Sequence, residues 1–227
     1  MIDAKIRKYT PEDRDAVRRI CFETGFGGDT IEPYFDDVEL FGDILTMYYT
    51  DREPESAWIV EAGGEAVGYF LGCLDTARQS EITNREIYPA ILRNIARGKY
   101  RIGRKTQGYI GRSIGALMSG ELKHPPLSLY PAHLHINLLP GYRRGGIGGR
   151  LMDIYFRYLR KNGVPGLHLG TSTLHRRGIP FYDKLGFRQY VRARSALWEN
   201  LIDTDVYNII YVKRLVKTPP NKPGGAT

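Results

Sequence analysis

Four glycines, Gly145, Gly146, Gly148 and Gly149, stand directly before a run of regularly spaced apolar residues. Leu151, Ile154, Tyr155, Tyr158 and Leu159 recur three and four residues apart, the period of a helix with one apolar face. The first N–H groups of such a helix lack intrahelical partners, and its dipole adds partial positive charge. Arg143, Arg144, Gly145, Gly146, Ile147, Gly148 and Gly149 therefore form a candidate anion site, where missing side chains let a phosphate reach the backbone. The bland alternative is a glycine-rich turn before a structural helix. Just upstream, His133, His135 and Asn137 alternate with Leu134, Ile136 and Leu138, which predicts a strand with the polar groups on one face. Imidazole titrates near neutrality, so His135, with His133 and Asn137 beside it, is the candidate general base, acting directly or through a water. His168, on the next predicted strand, is a weaker candidate, and the alternative for these histidines is packing within the sheet.

These groups need a frame to hold them. The chain has 227 residues, enough for one good core and short for two domains, with 42% hydrophobic and 11% aromatic residues. Ala4 to Tyr9 alternates and predicts a first strand. Thr10-Pro-Glu-Asp13 predicts a helix start, and the helix stops near Gly25. A second helix is expected over Pro33 to Tyr49, then a hairpin from Ala57 to Leu74 turning at Gly63-Gly64. Residues 76–126 predict a helical insertion, with Ile82 to Ala96 bent or divided at Pro89 and a weaker helix over Tyr109 to Leu122. After the central strand, loop and helix come a strand over Gly166 to Thr171, a short helix closed by Gly186, and an antiparallel pair, Phe187 to Trp198 and Val206 to Leu215. The tail from Lys217 is rich in proline and glycine and is expected to be loosely held. The expected fold is thus α/β in one domain over residues 1–216, a mixed and mostly antiparallel sheet flanked by helices.

Which phosphate ligand the loop takes is narrowed by its spacing. Gly146 is followed by Ile147 and Gly148, not by Lys and Ser/Thr, so the Walker A pattern fails. Gly146-x-Gly148 meets Leu151 where a dinucleotide fingerprint needs a small residue. Arg143-x-x-Gly146-x-Gly148 instead resembles the acyl-CoA pyrophosphate loop of the GCN5-related N-acetyltransferases (GNAT superfamily). Phe181-Tyr-Asp-Lys-Leu-Gly-Phe187 is similar to a second segment of the same superfamily, in the right order and about 35 residues downstream. More narrowly, Tyr130 to Pro140 and Gly163 to Gly170 resemble bacterial relatives of the acetyltransferase-like domain of O-GlcNAcase. The resemblance spans nearly the whole chain except 76–126.

The resemblance implies a GNAT fold with acetyl-CoA as cosubstrate, and direct transfer of acetyl to a primary amine through a ternary complex. It implies that Tyr182 protonates the leaving thiolate and that a backbone N–H of Leu138 or Leu139 polarises the acetyl carbonyl. His175 and Arg176, with Arg177, would lie beside the cofactor. The chain departs from the pattern at His175, where relatives commonly carry Asn, at Gly178, where they carry Ala, and in having no carboxylate on the fourth strand. The narrower resemblance also allows a catalytically inactive acetyl-CoA-binding or interaction module.

Charge adds an expectation about partners. Residues 1–90 carry 9 Lys/Arg against 19 Asp/Glu, and the remainder 24 against 6, giving the net +8. A basic half suits a polyanionic cofactor, and an acidic half, with Asp29, Glu32, Asp36 and Asp37, suits a cationic acceptor, whether small molecule, peptide or protein. Seven cations without an acid between residues 91 and 112 are expected to form a solvated or homodimer face in preference to a nucleic-acid site, since few aromatics interleave. The charged start, the two unpaired cysteines Cys21 and Cys73, and the lack of a long apolar run point to a cytoplasmic protein with no membrane span and no metal site.

Overall fold

The computed structural model describes residues 4–118, 120, 124–143, 145–199 and 201–215; the expected tail and Arg144 lie outside them. Strand β1 (Lys5–Lys8) passes through a short 3-10 turn into helix α1 (Arg14–Glu23). The backbone N–H of Thr10 donates to the Asp13 carboxylate at 2.9 Å, so the predicted start signal is used. Helix α2 (Val38–Asp51) begins five residues later than expected, because Asp37 caps it by accepting the Leu40 N–H at 2.7 Å. Strands β2 (Ala57–Ala62) and β3 (Glu65–Cys73) form the hairpin.

The insertion holds α3 (Thr76–Ile82), a π turn (Thr83–Ile87), α4 (Tyr88–Ala96) and α5 (Arg104–Met118). Asp75 caps α3, accepting from the N–H groups of Ala77 and Arg78 at 2.9 and 3.1 Å, so helix begins ahead of Ile82. Pro89 has no N–H to give, and the wider π turn before it absorbs that lost bond without ending the helical run. The N-terminus of α5 is capped from outside: the Asp36 carboxylate accepts the Thr106 N–H and Oγ1–H at 2.9 and 3.0 Å.

The remaining elements are β4 (Ala132–Leu138), α6 (Ile147–Lys161), β5 (Gly166–Ser172), α7 (Gly178–Lys184), β6 (Arg188–Arg194) and β7 (Tyr207–Arg214). Among the described residues they complete a seven-stranded sheet of order β1-β2-β3-β4-β5-β7-β6, in which β4 and β5 alone pair in parallel. Alternation along β3 and β4 splits the core into two layers. Val17, Ile20, Phe35, Leu40, Tyr69 and Leu71 pack under α1 and α2, while Phe70, Leu134, Leu151, Met152 and Leu167 pack under α6. The buried Tyr155 hydroxyl pins α6 to the sheet. It lies 2.9 and 2.8 Å from the carbonyls of Cys73 and His133, and it accepts the Cys73 N–H at 3.1 Å.

Candidate active site

Parallel pairing of β4 with β5 registers Ala132 with Leu167 and His133 with His168, and goes no further. Beyond that point the strands part and leave a cleft of about 1050 Å³. Its walls carry the end of β4, the glycine loop, the β5–α7 loop, Tyr182, and two loops from elsewhere in the chain.

Backbone direction decides which amide the strand offers. The Leu139 N–H donates to Val67 O at 2.9 Å and is spent on β3. Successive residues of a strand alternate their hydrogen-bonding edge, so the N–H of Leu138 is on the opposite edge, toward the cleft. Leu138 O, on that same edge, accepts from Arg143 Nε at 2.8 Å. Of the two expected donors, the structure brings Leu138 to the cleft and not Leu139.

The glycine loop has the shape an anion needs. Gly145 and Gly146 take φ of +118° and +75°, the left-handed region that glycine enters without a steric penalty. Gly146 caps α6, and Ile147 turns its side chain into the core, 2% exposed, so its backbone is held from below. The helix's first N–H groups are left unpaired by its own ladder. Cβ atoms added at Gly145, Gly146 or Gly149 would meet nothing within 4 Å, whereas one at Gly148 would stand 3.2 Å from the Phe181 ring. Bare backbone on one side and the Phe181 ring on the other leave room for an anion at this helix end.

Tyr182 is 6% exposed, lines the cleft, and packs its ring against Phe181, Phe187 and Tyr211. Burial pushes its phenol well above the ordinary value, so the hydroxyl keeps its proton at neutral pH. His175, Arg176 and Arg177 also line the cleft. The His175 ring occupies the space that a Cβ at Gly178 would fill, so the two departures from the family pattern are one packing solution. Burial first, then Arg143 and Arg177, lowers the His175 pKa.

The expected base requires correction. His133 is 9% exposed and both its ring nitrogens are engaged: Nε2 is 2.6 Å from the Tyr49 hydroxyl and Nδ1 is 2.7 Å from Thr76 Oγ1. The Thr76 hydroxyl donates to Pro131 O at 2.6 Å, so Nδ1 carries the imidazole proton and Nε2 accepts from Tyr49. Burial, followed by the neighbouring histidines, holds its pKa well below the ordinary value. His135 packs edge-on against Tyr49 with ring centres 5.2 Å apart, and burial pushes its pKa down to about 4. Neither is among the residues lining the cleft, because the polar face of β4 is covered by α1 and α2. His168 is likewise buried, its Nδ1 2.9 Å from Tyr130 O. Only Asn137 reaches the cleft, where α1 has ended; its Nδ2 donates to Thr24 Oγ1, which leaves its Oδ1 as an acceptor.

The acidic cluster also divides. Asp29 lines the cleft, but Asp36 and Asp37 are spent capping α5 and α2, and Glu32 lends its carbonyl to Lys105 Nζ at 3.0 Å. Asp37 further accepts the Arg101 N–H at 2.8 Å, and Lys99 pairs with Glu39 at 2.6 Å. The basic row 99–105 therefore lies along the acidic row 32–39, with Arg101 and Lys105 donating to the backbone carbonyls of Asp36 and Glu32. Sequence reasoning missed Thr24, Thr173 and Asp205 in the cleft walls. Asp205 sits on the β6–β7 loop, where no periodicity marks it, 2.9 Å from Arg194.

Comparison with known proteins agrees with this geometry. Residues 106–187 match the model of the acetyltransferase (GNAT) family. The crystal structure of SsHAT superposes with a TM-score of 0.72 at 28% identity, covering 94% of this chain and 99% of that one. An N-acetyltransferase from Staphylococcus aureus Mu50 gives 0.57 at 14% identity over 94% of this chain and 99% of that one. YncA of Salmonella typhimurium, solved with its cofactor acetyl-CoA, gives 0.55 at 13% identity over 97% and 99%.

Proposed function

Because residues 106–187 match the acetyltransferase (GNAT) family model, we propose that this chain is an N-acetyltransferase that moves acetyl from acetyl-CoA to a primary amine by direct attack in a ternary complex. The observation that carries the reading is the meeting, in one cleft, of parted strands β4 and β5 with the glycine-headed N-terminus of α6. When bound, acetyl-CoA supplies a thioester whose carbonyl carbon is open to an amine. The amides of residues 145–149 grip its diphosphate, with Arg143, Arg176 and Arg177 adding charge. The Leu138 N–H polarises the acetyl oxygen as charge gathers there. Asn137 Oδ1 orients the amine N–H, and the amine's proton leaves through water, because neither β4 histidine faces the cleft. The amine nitrogen bonds to the carbonyl carbon, the carbon–sulfur bond breaks, and Tyr182 returns a proton to the thiolate. Asp29 in the cleft wall favours a cationic acceptor, be it small molecule, peptide or protein.

Incubation with acetyl-CoA and mixed primary amines should release free CoA; tight acetyl-CoA binding without any release would instead favour the inactive module, a reading supported by the absence of both histidines from the cleft lining. A homodimer belongs to the same proposal, supported by Leu92, Ile114, Leu117 and Met118, left exposed on α4 and α5. Light scattering should then give twice the chain mass of 25.8 kDa, and a monomer would remove that part. Among the described residues no helix is long and apolar enough to cross a membrane, in keeping with a proposed cytoplasmic location.

A further inference from the structure

Arg143 does more than add charge to the phosphate loop. Its Nε donates to Leu138 O at 2.8 Å, and its Nη2 donates across the cleft to Gly28 O. Gly28 is the tip of the connection between α1 and α2. Phe26 and Asp29 exchange both backbone hydrogen bonds at 2.8 Å, and Gly27 and Gly28 between them take φ of +57° and +104°. A two-residue turn with both central residues left-handed admits glycine far more readily than any other residue. This tip touches the opposite wall. A Cβ at Gly27 would stand 2.8 Å from Leu174 Cβ, and one at Gly28 3.0 Å from Arg143 Nη1 and 3.4 Å from His175 Cδ2. Its root is held by Phe26, whose ring centre is 5.0 Å from those of both Tyr34 and Trp198. Residues 26–29 therefore bridge from the α1–α2 side to the β5–α7 loop, with Arg143 tying the bridge to β4.

We propose that Arg143 is a positioning residue that couples the cofactor end of the cleft to the acceptor end, with residues 26–29 as a strap that cofactor binding locks. The proposal rests on the coenzyme A reading above. A guanidinium has five N–H groups in a rigid fork, and two of Arg143's are committed to Leu138 O and Gly28 O. The others can take a phosphate oxygen without releasing either carbonyl. Seating the diphosphate then fixes the guanidinium, the guanidinium fixes Gly28, and Asp29 beside it is set in the acceptor wall. A lysine keeps the charge but lacks the fork, so it can serve the phosphate or the strap, not all three partners together.

The test is hydrogen exchange at the Phe26 and Asp29 amides, with and without saturating CoA, alongside calorimetric CoA affinity. In the wild-type protein CoA should slow exchange at both amides by about fivefold or more. Arg143→Lys should bind CoA about tenfold more weakly, and at saturation its CoA should leave those amides unslowed. Gly28→Ala, which puts a methyl at the Arg143 contact while leaving the glycine loop untouched, should keep CoA affinity within about threefold and lose the protection. Equal protection in wild type and Arg143→Lys, or CoA binding in wild type with no protection, overturns the coupling and leaves the cofactor reading standing. Absence of any CoA binding by the wild type sinks the cofactor reading itself, and the strap proposal with it.

Discussion

At the scale of single residues the proposed transfer turns on the Tyr182 hydroxyl and on the absence of a side chain at Gly148. Tyr182 holds its proton because burial disfavours the phenolate. That suits an acid that must donate only when a thiolate forms beside it. Tyr182→Phe should lower kcat by about 10²-fold while CoA affinity stays within about twofold, since general acid catalysis contributes on that order; steady-state kinetics with calorimetry would reveal an unchanged kcat if the proton comes from elsewhere. Gly148 answers a different need. A Cβ there meets the Phe181 ring at 3.2 Å, so Gly148→Val must displace the ring or the loop. CoA binding should weaken at least about tenfold, a cost of about 1.4 kcal/mol, and a thermal shift with CoA equal to wild type would contradict it.

At the scale of elements, caps reaching across the chain hold the insertion in place. The Asp36 carboxylate serves as the cap of α5, although about 70 residues separate them, and Asp37 both starts α2 and receives the Arg101 N–H. Asp36→Ala removes the acceptor of the Thr106 N–H and hydroxyl and should destabilise the insertion. Exchange should rise first in 104–110, ahead of the sheet, and urea midpoints would register the loss. The same docking answers the charge asymmetry. Lys99 and Arg101 meet Glu39, Asp36 and Asp37, so this part of the basic run is spoken for inside the molecule. Element order and type were legible because they follow from apolar spacing, and the hairpin, β4, α6 and α7 stand where expected. The starts of α2 and α5 were not, since Asp37 caps the one from within its expected span and Asp36 caps the other from a distant loop.

For the molecule as a whole, pH is the sharpest probe. His133, His135, His168 and His175 all have pKa values lowered first by burial, with His135 at about 4. Each is neutral in the fold and takes up a proton more readily when unfolded. Stability is therefore full above the unfolded value near ~6.5 and is lost as pH falls toward the folded values. Between pH 7 and 5 the His135 contribution alone is about 2 kcal/mol. Urea midpoints at the two pH values should differ accordingly, and a His135→Gln variant should flatten the slope; a midpoint insensitive to pH in that window would contradict the burial of these imidazoles.

The local pattern by itself determined the strand, the glycine loop and the helix behind it, because backbone periodicity and unpaired helix N–H groups are properties of neighbours in the chain; Tyr182 was singled out only by the family resemblance. It could not determine what faces what. His133, His135 and Asn137 share one face of β4, and only the position where α1 ends decides that the histidines are covered while Asn137 meets the cleft. Likewise Asp29 and Asp205, far apart in sequence, enter one wall only because β4 and β5 part and two distant loops close over the gap. Burial and long-range contact are set by the packing of whole layers, and no spacing along a single strand encodes them.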